Sequence, residues 1–197
     1  MDEALKTRIK RGKVFYDKYL TGKVIDIGAG EDLVTTNAER FDIEDGDANF
    51  ITRYRSTESY DTVHSSHCLE HMFNPDQAIK EWWALIKPGG HLVIVVPDED
   101  LYEQGIWPSI FNNDHKSTFR LHDNKSWSPV SYNIKDLISA LPDSTIISID
   151  LHNDFYNYSL LSKYPPKSHK NQFFFLLNKL VRNIPLYGKY LNIKIED

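Results

Sequence analysis

Cysteine is almost absent from this chain of 197 residues, with Cys68 the single example. One thiol excludes an intramolecular disulfide framework and a cysteine-rich zinc module, and it leads us to expect a reducing, cytoplasmic setting. Long apolar runs are missing as well. The longest, Leu92 to Val96 and Phe173 to Leu177, fall far short of the roughly 20 residues that cross a bilayer. Met1 to Arg11 is charged and carries no apolar stretch, so no secretory signal is expected. A surplus of positive charge is also lacking. The 23 Lys and Arg against 28 Asp and Glu leave a net charge of −5, which disfavours a dedicated nucleic-acid binder. Nine Gly and nine Pro are too few for a fibrous or low-complexity chain. What is present, 41% hydrophobic and 13% aromatic residues, suits one compact domain that buries roughly 70% of its unfolded surface without a staple.

Along the chain, Leu5, Ile9, Phe15, Tyr16, Tyr19 and Leu20 approach a 3.6-residue period, predicting an amphipathic helix interrupted near Gly12. Lys23 to Ile27 reads as a buried strand emptying into Gly28-Ala29-Gly30. Phe41 to Ile43, Ala48 to Ile51 and Tyr60 to Val63 read as further short strands. Asn74-Pro75 is a helix start, with Asn as cap and Pro at the first helical position. Ala78, Trp82, Leu85 and Ile86 form its apolar face, which ends at Lys87-Pro88-Gly89-Gly90. Trp82 is expected in the core and Trp83 on the surface. His91 to Val96 then predicts a fully buried strand, completing the second half of a βαβ unit. Residues 98–128 are polar and aperiodic, too long for a bland connection. A helix is expected over Tyr132 to Leu141, a strand over Thr145 to Leu151, a helix over Asn171 to Asn183 and a last strand over Tyr190 to Ile195. The fold class is α/β: a mostly parallel sheet with an antiparallel C-terminal edge strand. The single domain divides into an N-terminal helix over 1–22, a core over 23–97, a lid segment over 98–128 and a part completing the sheet over 129–197.

In open α/β sheets the ligand lies beyond the carboxyl ends of the strands, which points to the turn Asp26-Ile27-Gly28-Ala29-Gly30. A dinucleotide fingerprint would place a third Gly at position 33, which is Leu33, and Asp26 would repel a diphosphate. A nicotinamide oxidoreductase is therefore disfavoured. An adenosine with a cationic amino-acid tail fits the turn better.

The stretches Val24 to Gly30, Phe41 to Ala48, Tyr60 to His71 and Ile86 to Pro97, in that order, resemble the class I S-adenosylmethionine-dependent methyltransferases, type 11-like, with a Rossmann-like fold. More narrowly they look like the small methyltransferase-domain proteins found with bacterial glycan and surface-polysaccharide biosynthesis. The resemblance implies S-adenosylmethionine as cofactor and S-adenosylhomocysteine as product. It implies that Gly28, Ala29 and Gly30 let the backbone approach the methionine part, with Asp26 near its ammonium group. Asp42 would hold the ribose hydroxyls, with Ile43 beside it. Asp47 would accept from the adenine amine, the Ala48 amide would face the ring, and Ser65, Ser66 and His67 would line the sulfonium end. The short intervals from Asp26 to Asp42 and on to Asp47 imply that the usual intervening helices are shortened or missing.

His64, His67, Cys68, Glu70 and His71 form the densest set of candidate metal ligands, and His67 and His71 would share a helix face. His64 would point elsewhere and no second ligand group is evident, so no metal is expected. Methyl transfer to oxygen also requires a base, and His115 in Asn112-Asn113-Asp114-His115-Lys116 is the candidate, with Asp114 to orient it. Tyr102, Glu103 or Trp107 would shape the acceptor pocket. Ser65-Ser66-His67-Cys68 does not match the Asn/Asp-Pro-Pro-aromatic motif of base-modifying amino-methyltransferases. The expected activity is thus O-methylation of a sugar or sugar-linked small molecule. The alternative is a cofactor-binding scaffold without turnover. That alternative is motivated by the basic, aromatic stretch 171–183, which reads either as a partner- or membrane-surface contact or as a helix covering the sheet.

Overall fold

The computed structural model describes residues 3–122 and 125–153, with side chains accounted for from residue 10 onward. Among the described residues two compact units emerge, one formed by residues 3–96 with Leu137–Ser144 and the other by residues 97–122, 125–136 and 145–153. The expected helix over 171–183 and strand over 190–195, and with it the antiparallel edge, lie outside the described residues.

The first unit opens with α1 (Glu3–Tyr19), broken at Gly12, whose φ of 63° and ψ of 170° suit a residue without a Cβ. A four-stranded parallel sheet follows in the order β2-β1-β3-β4, from β1 (Val24–Ile27), β2 (Glu39–Phe41), β3 (Tyr60–Ser66) and β4 (Ile86–Val95). Central β1 is buried throughout because both faces are covered, as the apolar run Val24-Ile25-Asp26-Ile27 requires. On one side Leu20, Val24, Val34 and Ala38 pack together with Phe15 and Tyr16 of α1. Between β3 and β4 runs α2 (Pro75–Ala84), capped as expected by Asn74, whose side chain accepts from the Gln77 N–H. Trp82 of α2 is fully buried and donates from Nε1 to the Ala48 carbonyl at 2.9 Å.

Three expectations shift. Asp42 and Ile43 lie beyond β2, because the Asp42 carboxylate turns back to accept from the Ile43 N–H at 2.7 Å and takes the chain out of the ladder. Ala48–Arg53 is a 3-10 helix rather than a strand, since Asp47 caps it by accepting from the Asn49 N–H. A short apolar run does not by itself distinguish a strand from a helical turn. Strand β4 begins at Ile86, takes up Lys87-Pro88-Gly89-Gly90 as an irregularity in the pairing with β3, with Gly89 at a φ of 81°, and is half-buried over His91–Val95 rather than fully buried. No helix joins β1 to β2, and only the 3-10 helix lies between β2 and β3, as the short intervals implied.

The second unit contains a short wide-turn helix (Glu99–Glu103) and a parallel pair, β5 (Thr118–Arg120) with β6 (Ser131–Asn133). The helix expected from Tyr132 begins only at Ile134 as α3 (Ile134–Ser139). Tyr132 and Asn133 are still paired in β6, and the Asn133 side chain caps the next turn by accepting from the Lys135 N–H at 3.0 Å. Thr145 to Leu151 forms no strand.

Candidate functional site

Strand β1 has β2 on one side and β3 on the other, so the strand order reverses there, and it is beyond the carboxyl ends at such a reversal that open α/β sheets bind their ligands. The turn leaving β1 depends on two glycines with positive φ, 74° at Gly28 and 58° at Gly30. Their surroundings differ. A Cβ at Gly28 would sit 2.6 Å from Cys68 Cβ, so that face of the turn is closed by packing. No described atom lies within 4 Å of a Cβ at Gly30, so that face can admit a ligand.

Asp42 meets this turn: its Oδ2 accepts from the Gly30 N–H at 2.7 Å. Two of the residues expected at the cofactor are thereby joined at the ends of adjacent strands. Ile43 beside them is 84% exposed, an aliphatic surface next to a carboxylate. Asp47, exposed, accepts through Oδ1 from the Asn49 N–H at 2.9 Å and its side-chain amide at 2.8 Å. Arg40, which sequence reasoning passed over, braces the loop by donating from Nε to the Gly30 carbonyl at 2.6 Å and from Nη2 to Glu44 at 2.6 Å. A lone cation in the acidic stretch 39–47 was the available signal. Phe73 was also missed. It is 78% exposed, and its N–H donates to the Asn49 side chain at 2.9 Å.

Two of the expected site residues are engaged within the fold. Asp26 is not presented at the turn: it is 2% exposed, with Oδ2 accepting from the Val34 N–H at 2.6 Å and Oδ1 2.6 Å from His64 Nδ1. Arg11 Nη1 stands 3.1 Å from His64 Nε2, and because arginine only donates, Nε2 accepts and Nδ1–H donates to Asp26. Burial lowers the Arg11 guanidinium from its ordinary value, opposed by the Tyr16 and Asp26 charges. Asp26 thus ties the loop to His64 and, through it, to Arg11 of α1. Ser65 is fully buried and donates to the Ile27 carbonyl at 3.0 Å, a bond between β3 and β1.

Ser66 at the end of β3 keeps a buried hydroxyl oxygen with no hydrogen-bond partner among the described residues. His67 has a φ of 55°, its N–H donates to the Val95 carbonyl at 3.0 Å, and its Nδ1 is 3.5 Å from buried Glu70. Burial, with the Glu70 charge next in weight, pushes the Cys68 thiol up to about 12, so at neutral pH it is no thiolate ligand.

In the second unit His115 Nδ1 lies 2.7 Å from Glu103 Oε1, both residues buried. The carboxylate that meets His115 is thus that of Glu103 and not the expected Asp114. Asp114 is largely exposed and pairs with Lys116 at 3.1 Å, because adjacent side chains in this turn point apart.

A family model described as a methyltransferase domain matches residues 2–131. No curated protein matches the chain. Among solved structures it is similar to one titled "Crystal structure of trans-methyltransferase CalH complex with SAH", at 14% identity and a TM-score of 0.29. The aligned part covers 36% of this chain and 31% of that one, so the chain spans about a third of that protein's length.

Proposed function

Since the chain belongs to the methyltransferase-domain family, we propose that it transfers a methyl group from S-adenosylmethionine to a hydroxyl of a sugar or sugar-linked small molecule. The observation that carries this reading is the junction of Asp42 with the Gly30 amide, beside the open face of Gly30 and the exposed Ile43. The donor set fits such a cofactor. Ala29 and Gly30 offer close backbone approach, with Gly28 shaping the turn against Cys68; Asp42 has lone pairs left for two ribose hydroxyls, and Ile43 gives an apolar face for adenine. Asp47 and the Ala48 amide address the adenine edge, and Ser66 and His67 the opposite end.

When bound, S-adenosylmethionine supplies a methyl carbon already activated by sulfonium. The protein aligns the acceptor with that carbon, excludes water and takes up the acceptor's proton. His115 is the base in this reading. It belongs to the segment that follows the carboxyl end of β4, and its imidazole is held in one orientation by a carboxylate. Recognition of a hydroxyl rather than a nucleic-acid base is supported by the Ser65-Ser66-His67-Cys68 sequence and by the net charge of −5.

Calorimetric titration with S-adenosylhomocysteine tests the cofactor, with micromolar binding, about −8 kcal/mol, expected. Asp42→Ala should weaken it roughly ten- to a hundredfold through the loss of charge-assisted hydrogen bonds. Tritium transfer from methyl-labelled S-adenosylmethionine to a panel of nucleoside-diphosphate sugars tests the acceptor. A folded protein that binds no S-adenosylhomocysteine would overturn the reading, and binding with no transfer to any sugar would favour a scaffold.

A further inference from the structure

The second unit holds two buried glutamates whose surroundings differ. Glu99 is surrounded by hydroxyls, accepting from Thr118 at 3.0 Å, from Ser126 at 2.8 Å and from Ser131. Its carboxylate is fully used, as a structural group should be. Glu103, 2% exposed, has one oxygen 2.7 Å from His115 Nδ1, while its Oε2 is buried with no hydrogen-bond partner among the described residues. A buried carboxylate left half-satisfied costs stability instead of adding it, so stability does not account for the pair.

The imidazole is fixed on other sides too. The Tyr102 ring lies against it at 4.9 Å, tilted by 33°, and Phe111 meets Tyr102 edge-on at 6.0 Å. The turn carrying it is closed by the His115 N–H donating to the Asn112 carbonyl at 3.2 Å and by the Asn112 N–H donating to Ser109 Oγ at 3.1 Å. We propose that Glu103 is the positioning residue of the methyl transfer, holding His115 as the Nδ1–H tautomer so that Nε2 carries the lone pair. This rests on the reading of His115 as the base. In a neutral imidazole one nitrogen donates and the other accepts, and a carboxylate at Nδ1 accepts only, which selects that tautomer. In the reaction, Nε2 takes the proton of the acceptor hydroxyl while that oxygen bonds to the methyl carbon. The carbon–sulfur bond breaks with its electron pair returning to sulfur. The imidazolium so formed faces the Glu103 carboxylate, which stabilises it.

The test uses the full chain labelled with 15N at histidine, with long-range proton–nitrogen correlations reporting the tautomer of His115. The wild type should show Nδ1–H, and Glu103→Leu should move the population to Nε2–H. A wild-type His115 in the Nε2–H form, or a tautomer unmoved by Glu103→Leu, overturns the proposal, and the wild-type measurement stands even if the variant does not fold. In tritium transfer to nucleoside-diphosphate sugars, Glu103→Leu should lower kcat by roughly 10²-fold with KM and S-adenosylhomocysteine affinity nearly unchanged. Glu103→Asp should restore both the tautomer and part of kcat. Full kcat in Glu103→Leu beside an inactive His115→Gln overturns the role of Glu103 alone. Full kcat in His115→Gln overturns the base itself, while the tautomer measurement still judges Glu103 separately.

Discussion

The aspartates around the β1 turn and the two buried glutamates described in the second unit differ in whether main-chain groups are among their partners. Around the β1 turn, Asp26, Asp42 and Asp47 accept main-chain N–H groups from Val34, from Gly30 and Ile43, and from Asn49. In the second unit, Glu99 and Glu103 are held by side chains alone: three hydroxyls in one case and an imidazole in the other. Carboxylate-to-backbone bonds fix loop shape, and their loss is shared with solvent wherever the loop is exposed. Carboxylates buried among side chains have no water to turn to, so removing one leaves its partners stranded.

The largest expected effect is therefore at Glu99. Glu99→Ala should destabilise by about 3 to 5 kcal/mol in urea unfolding, because buried hydroxyls on Thr118, Ser126 and Ser131 lose their common acceptor. A loss under about 1 kcal/mol would erase the contrast between the two units.

Next come the two turn glycines, which sharpen the comparison from within the first unit. Gly28→Ala should cost about 2 to 4 kcal/mol, combining a positive φ of 74° with a Cβ 2.6 Å from Cys68 Cβ. Gly30→Ala meets no described atom within 4 Å and should cost only about 1 to 2 kcal/mol, from backbone strain alone. Thermal unfolding of both variants checks this, and equal losses would mean that packing on Cys68 contributes nothing.

The smallest effect is expected at Asp98, whose side chain caps the Glu99–Glu103 turn by accepting from the Asp100 and Leu101 N–H groups. Burial raises its carboxyl above the ordinary 3.8, against the backbone hydrogen bonds that lower it. A raised carboxyl favours the protonated form in the fold, so its contribution is present below 3.8 and is lost as pH rises through the folded value. Asp98→Asn keeps a cap without the charge. It should gain on the wild type as pH is raised from 3 to 7, measured as the difference in unfolding free energy. A difference independent of pH would place Asp98 with the solvent-shared carboxylates of the first unit.

The same division governs how much could be read in advance. Asn74-Pro75 announced α2, Gly12 the break in α1, and the close spacing of Asp26, Asp42 and Asp47 the missing crossover helices, because each signal depends on residues near in sequence. Asp47 was legible as a candidate site residue but not as the cap of Ala48–Arg53, where a run of apolar residues looked equally like a strand. The Asp26–His64 pair was illegible, since nothing local to either residue indicates that parallel pairing sets Asp26 opposite His64.

Sequence alone determined the parallel α/β core, the glycine turn after β1 and the positions of Asp42 and His115 as candidates, because strand periodicity, turn chemistry and side-chain type are properties of short segments. Only the tertiary structure decided which carboxylates remain available to a ligand. Asp26 was taken inward by Val34 and His64, and Glu103 rather than Asp114 reached His115. Those choices depend on which groups folding brings within hydrogen-bond distance and removes from water, and a linear chain specifies neither until its strands and turns have packed.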